Sequence, residues 1–68
     1  MDKPRKIDTR DDYYKVVIYT DFGIVCAQTL WFRDYDYAKR KYDDIQITRT
    51  TIKKKIVFEG ETIEQESL

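Results

Sequence analysis

A single stretch of helical period, set among stretches that favour strands, most limits the fold of this 68-residue chain. Within residues 33–45 an apolar side chain recurs every three or four positions, which is the spacing of one helical stripe. The stripe consists of Tyr35, Ala38, Tyr42 and Ile45. Asp34 has the residue type of an N-cap, whereas Asp43–Asp44 offers nothing to a helix C-terminus, so we expect fraying at that end. One helix of about three turns covers one face of a sheet and leaves the opposite face uncovered.

Two strands are predicted before this helix. "YYKVVIYT" (13–20) is dense in β-branched and aromatic residues, and "IVCAQTLWF" (24–32) has the same character. "DFG" (21–23) supplies an aspartate and a glycine for the turn between them, so the two strands are expected to form a hairpin. Alternation along each strand separates Tyr13, Tyr19 and Trp31 from the side chains expected in the core.

Residues 45–60, "IQITRTTIKKKIVFEG", return to strand composition and are predicted as one long strand, bulged near Lys53–Lys55. The residues expected on its core side are Ile52, Ile56 and Phe58. The residues expected on its other side are Lys53, Lys55 and Val57. A short fourth strand around Ile63 is a further option. The predicted fold is α+β: a small antiparallel sheet of three strands, or of four, in the order ββαβ(β), with one helix packed on one face.

We expect one domain over residues 13–64, preceded by a flexible leader of residues 1–12 and followed by a flexible tail of residues 65–68. A chain this short has a small core. With one cysteine and no histidine, neither an internal disulfide nor a Cys/His zinc site is available to stabilise it. Homodimerisation is then the remaining way to add buried surface.

Catalysis and cofactor binding are disfavoured by the residue types present. Without histidine the chain lacks both the Ser/His/Asp and the Cys/His arrangements that activate a nucleophile. Cys26 lies mid-strand among apolar neighbours, where a thiol is expected to be a small buried hydrophobe. The paired aspartates fall at element boundaries, where turns and caps explain them. We therefore predict a protein that is not an enzyme and that holds no cofactor and no metal ion.

Membrane insertion and secretion are also disfavoured by the sequence. No apolar stretch approaches the roughly 20 residues that cross a bilayer, and residues 1–12 lack the apolar segment of a signal peptide. A cytoplasmic protein without a membrane partner is the expectation.

The net charge is zero, yet the charges are unevenly distributed. Residues 47–58 carry four positive charges and no negative charge, and residues 59–68 carry four negative charges and no positive charge. Any attraction for nucleic acid must therefore come from a local patch, and the acidic segment can compete for the lysines of the basic segment.

A binding site is expected on the uncovered sheet face and on a tyrosine outside the helical stripe. The candidate partner-binding residues are Trp31, Tyr13, Tyr19, Tyr37, Lys53 and Lys55. Because Tyr and Trp are enriched at the centres of protein interfaces, we favour a protein partner, with self-association as one form of it. The less favoured alternative is single-stranded nucleic acid, with bases stacked on the rings and phosphates on the lysines. A third explanation for the many tyrosines is that their rings add apolar surface to a small core while their hydroxyls stay in water.

The small size and the ββαβ order resemble the small inhibitors and host-takeover proteins of bacteriophages, which bind one host enzyme and block it. The resemblance is one of fold and transfers no residues. It implies a modulator of a larger host protein that acts by steric occlusion in the host cytoplasm.

Overall fold

Four strands and one helix follow one another in the order ββαββ in the computed structural model. The structure describes residues 12–68, so the predicted leader lies outside the described residues except for Asp12. The elements are β1 (Tyr14–Asp21), β2 (Val25–Phe32), α1 (Tyr35–Asp44), β3 (Thr51–Phe58) and β4 (Glu61–Ser67). The α+β class and the predicted element order are therefore confirmed, and the fourth strand is present.

The four strands form one antiparallel sheet in the spatial order β2-β1-β3-β4. The β1–β2 hairpin keeps an uninterrupted register from Tyr14 opposite Phe32 to Asp21 opposite Val25. β4 continues through residues 65–67, which the sequence had suggested as part of a flexible tail, and the Leu68 amide donates to the Ile52 carbonyl at 2.9 Å.

β3 is shorter than the strand predicted over residues 45–60, because the chain turns before it. The hydroxyl oxygen of Thr48 accepts the amides of Thr50 and Thr51 at 3.1 and 3.0 Å, which holds residues 48–51 in a side-chain-stabilised turn. The register with β1 also shifts by one residue, so that Ile52 has no opposite residue in β1. The predicted bulge is therefore present, next to Lys53 and not within the lysine run.

The core lies between α1 and one face of the sheet. Its buried members come from both layers: Val16 of β1 and Ile56 of β3 lie opposite each other in the sheet, and Ala38 and Tyr42 belong to α1. Half-buried apolar side chains surround these four. They are Tyr14, Ile18, Leu30, Phe32, Tyr35 and Ile45. The helical stripe and the alternation of β1 and β3 thus converge as the sequence predicted.

The two ends of α1 are stabilised by different means. At the N-terminus, the Asp34 carboxylate accepts the amide of Asp36 at 3.2 Å, as an N-cap does. At the C-terminus, the buried ammonium of Lys54 donates to the carbonyls of Tyr42 and Ile45 at 2.7 and 2.6 Å. The end for which the sequence suggested fraying therefore receives a cation from a neighbouring strand.

Cys26 is exposed, so the prediction of a buried thiol is wrong. The first four residues of β2 are all exposed, and burial on this strand begins only at Thr29. The apolar neighbours of Cys26 in the sequence do not predict burial here because α1 packs near the opposite end of β2, on Leu30 and Phe32. Within the described residues, no helix has the length and apolar content needed to cross a bilayer.

Candidate functional site

The face of the sheet opposite α1, which we call the open face, carries most of the candidate residues. β1 contributes Lys15, Val17 and Tyr19 to it, with Tyr13 just before the strand. β2 contributes Trp31, and β3 contributes Lys53, Lys55 and Val57. Trp31 retains 40% of its accessible surface, and the other residues named here are half-buried. The helix of the described residues packs on the opposite face of the sheet, so one helix covers one face of the two.

One end of the open face is an aromatic and cationic cluster around Trp31. The rings of Tyr13 and Trp31 meet edge to face, with their centroids 6.4 Å apart. The ammonium of Lys15 lies 5.5 Å from the Trp31 ring, because Lys15 and Trp31 are opposite residues of the hairpin. Arg33 lies 5.1 Å from the Tyr13 ring, and its guanidinium donates to the Tyr13 hydroxyl at 3.1 Å.

The other end of the open face is built around Tyr19. Lys53 lies directly opposite Tyr19 in the sheet, and Lys55 lies one side-chain repeat further along β3. Their ammonium groups lie 5.6 and 5.7 Å from the Tyr19 ring centroid. Two cations beside one ring repel each other and make the local potential at this end of the face positive.

The acidic residues of β4 do not neutralise these lysines. Glu64 and Glu66 lie opposite Ile56 and Lys54, on the side of the sheet that carries α1. Lys53 and Lys55 have Ser67 and Gln65 opposite them. The acidic segment, which the sequence suggested as a competitor for the whole lysine run, therefore meets only Lys54, whose ammonium lies 3.6 Å from the Glu66 carboxylate.

The open face is consequently basic in a chain of zero net charge. Among its described strand residues the one carboxylate is that of Asp21, at the hairpin end, where it accepts the amide of Gly23 at 2.9 Å. The three lysines of the face, together with Arg33 beyond β2, give it a positive potential that the whole-chain charge conceals.

The carboxylates on the opposite side are tied to α1. Glu64 accepts the Tyr35 hydroxyl and the Lys39 ammonium, the latter at 2.6 Å, and Lys39 also pairs with Asp43 at 3.1 Å. The hydrogen bond from Lys39, followed by that from Tyr35, holds the pKa of Glu64 below its ordinary value. The same contacts with Glu64 raise the pKa of Lys39 and of Tyr35, and burial raises the pKa of Tyr42. This cluster joins β4 to the helix and faces away from the open face.

Tyr37 is the one candidate residue that the fold does not bring to the others. It belongs to α1, which packs on the covered face, and it is 59% exposed on the outer side of the helix with Arg40 5.6 Å from its ring. Tyr37 therefore cannot contact a molecule seated on the open face in the same place as Trp31.

Two exposed features escaped the sequence reasoning. Arg33 was included in the stretch of helical period over residues 33–45, but it continues the alternation of β2 and joins Tyr13 on the open face. Phe22 and Ile24, at the tip of the hairpin, are 80% and 76% exposed. Arg33 is two residues after Trp31, so the strand alternation could have predicted that both side chains lie on the open face. The exposure of Phe22 and Ile24 depends instead on how far α1 extends over the sheet.

Within residues 12–68 there is no group of three or more Cys, Asp or Glu residues placed to hold a metal ion, and no enclosed pocket. Neither a family model, nor a curated protein, nor a solved structure matches this chain. The resemblance to bacteriophage inhibitors therefore stays a prediction. The arrangement of the open face remains the source for a functional proposal.

Proposed function

We propose that this chain is a non-enzymatic protein-binding module that attaches through its open face to an acidic surface of a larger protein. Attachment modulates that protein by covering part of its surface. The observation that carries the proposal is the sorting of charges in the sheet: Lys53 and Lys55 lie beside the Tyr19 ring on a face from which Glu64 and Glu66 are turned away.

The composition of the open face supports a protein partner. Interface centres are enriched in Trp, Tyr and Arg, and Trp31, Tyr13 and Arg33 occupy one connected cluster. An acidic partner gains from four cations on this face, which carries only the Asp21 carboxylate among its described strand residues. Electrostatic complementarity of this kind raises the association rate and selects against basic partners.

The ring geometry favours a protein partner over nucleic acid. Base stacking needs open ring faces, but the cations of Lys53 and Lys55 lie beside the Tyr19 ring and that of Lys15 lies beside the Trp31 ring. Tyr13 and Trp31 meet edge to face, so they do not form a flat platform for consecutive bases. A partner that contacts ring edges and ammonium groups requires less rearrangement.

Single-stranded nucleic acid is the second candidate, and one observation favours it. The acidic segment was one electrostatic argument against it, together with the zero net charge, and Glu64 and Glu66 engage Lys39 and Lys54 instead of the open-face lysines. Phosphates would then have access to Lys15, Lys53 and Lys55 without competition from β4.

The test is capture from a native lysate with three forms of the full chain: wild type, Lys53→Gln/Lys55→Gln, and Arg40→Gln/Lys41→Gln. The two variants lose the same charge, but Arg40 and Lys41 are exposed on α1, on the other side of the sheet. Capture is followed by mass spectrometry, with and without nuclease. The direct arm measures binding of an oligothymidylate and an oligouridylate at rising salt.

The proposal predicts a protein that the wild type and the α1 variant retain after nuclease treatment and that the β3 variant loses. Retention by both variants contradicts it. Capture that disappears with nuclease, together with oligonucleotide affinity that falls steeply with salt, establishes the nucleic-acid alternative instead, because phosphate contacts release counterions.

A further inference from the structure

The two edges of the sheet differ in how they are protected against another strand. β4, at one edge, carries three glutamates in seven residues, and such charges oppose edge-to-edge pairing. β2, at the other edge, reads VCAQTLWF: eight residues with no charge, no proline and no glycine. Within the described residues β2 pairs with β1 alone, so its outer backbone groups form a template for strand addition.

We propose that the outer edge of β2 pairs with β2 of a second copy of this chain. The strands run antiparallel, and the two-fold axis passes between the two Gln28 residues. The pairing joins two four-stranded sheets into one of eight strands. Its hydrogen bonds come from the strand edge, and of the open-face candidates Trp31 alone takes part in it, so the dimer can be tested separately from the partner proposed above.

The sequence of β2 is complementary to itself in this register. A two-fold axis perpendicular to the sheet keeps both helices on one side, so opposite residues must belong to the same face. With Gln28 at the axis, Val25 of one copy lies opposite Trp31 of the other, and Ala27 lies opposite Thr29. On the helix side, Cys26 lies opposite Leu30.

Exposure of the matched residues supports this register. Val25 and Trp31 are 57% and 40% exposed, and the pairing places these two large apolar side chains together twice, once on each side of the axis. The two exposed Gln28 amides meet at the centre and can exchange hydrogen bonds. An axis through Thr29 would set Leu30 opposite Gln28 and leave Val25 without an opposite residue.

Dimerisation would double the open-face area that is available to a partner. Four strands about 4.8 Å apart and eight residues long present a face of about 500 Å². Stable protein interfaces bury about 800 Å² on each partner. Because the two-fold axis leaves both open faces on the same side, the dimer presents one continuous basic and aromatic surface large enough for such an interface.

The first test measures the molecular mass of the full chain by light scattering over a dilution series. We expect the wild type to approach twice the 8.3 kDa chain mass. Gln28→Lys and Gln28→Glu each put like charges opposite each other. Each variant should raise the dissociation constant of the dimer about fivefold or more. Mixing the two variants should restore it. Gln65→Lys makes the same change on β4 and should leave the dimer intact.

The second test reads the register with disulfides in a Cys26→Ser background. Opposite residues of antiparallel strands have Cα atoms about 4.5 to 5.5 Å apart, within disulfide range, so Gln28→Cys should crosslink on oxidation. Two copies of Cys26 would lie four residues apart along the strands, about 13 Å, so the wild type should not crosslink.

A wild-type mass of one chain at all concentrations overturns the proposal. Crosslinking of Thr29→Cys in place of Gln28→Cys overturns the register. Failure of the Gln28→Lys and Gln28→Glu mixture to restore the dimer overturns the placement of the axis.

Discussion

Val16 and Val17 are neighbours in the chain, yet they belong to two different environments. Val16 is fully buried under α1 opposite Ile56, whereas Val17 is half-buried on the open face opposite Lys55. The same contrast holds for Lys54 and Lys55: one ammonium is buried against the helix, and the other lies beside the half-buried Tyr19 ring of the open face. The covered face holds the buried side chains that stabilise the fold, and the open face holds the residues for which we propose a role in binding.

The largest expected effect is a cavity on the covered face. Val16→Ala removes two methyl groups from a fully buried site and should lower the free energy of unfolding by about 2 to 3 kcal/mol. Val17→Ala makes the identical change on the open face and should cost about 1 kcal/mol or less. Urea unfolding of both variants is the measurement, and equal losses would contradict the division into two environments.

Lys54→Met should have the next largest effect. It keeps most of the side-chain volume but removes the donor that serves the carbonyls of Tyr42 and Ile45, so we expect a loss of about 1 to 2 kcal/mol. Lys55→Met is the matched control and should change stability by about 0.5 kcal/mol or less. If circular dichroism and urea unfolding give the same result for both variants, the cation is not what stabilises the end of α1.

Acid should weaken the covered face through Glu64. Because the pKa of Glu64 is lower in the folded protein than its ordinary value of 4.5, its contribution is present above that value and is lost as the pH falls through the folded pKa. Glu64→Gln should therefore flatten the dependence of stability on pH below about 4.5. Melting temperatures between pH 3 and pH 7 test this, with Glu61→Gln as an exposed carboxylate control from the same strand; parallel curves for wild type and Glu64→Gln would exclude the mechanism.

The smallest expected effect on stability is on the open face. Lys53→Gln with Lys55→Gln should shift the free energy of unfolding by about 0.5 kcal/mol or less for each residue, because exposed contacts between cations and rings contribute little. The same double variant is predicted to lose the protein partner. A large loss of stability in thermal unfolding would mean that these lysines maintain the fold, and the comparison of the faces would fail.

Much of the fold follows from local chemistry. The β-branched and aromatic runs specify β1 and β2, Asp21 and Gly23 specify the turn, and the apolar stripe of residues 35–45 specifies the helix and the face it buries. Alternation by two also places Tyr13, Tyr19 and Trp31 away from the core. These features depend on side-chain direction within one element, which the sequence alone provides.

The boundaries of β3 and the position of Cys26 were beyond such reasoning. The turn at Thr48 competes with a strand through hydrogen bonds that composition does not reveal. Cys26 has apolar neighbours like those of a core position, but burial depends on how far along the sheet α1 extends. The start of β3 is thus set by a local side-chain turn, whereas the exposure of Cys26 is set by a helix that follows β2 in the chain.

The sequence by itself determined that one helix would share a sheet with several strands and that one face would stay open. Only the tertiary structure determined on which face of the sheet each charged side chain lies and which group it contacts. Lys54 is in step with Ile56, so alternation assigned it to the core side, but a buried ammonium is stable there only because the C-terminus of α1 supplies two carbonyls. In the same way, the register of β4 turns Glu64 and Glu66 away from Lys53 and Lys55, since a shift of one residue in an antiparallel pair would exchange every side chain between the two faces.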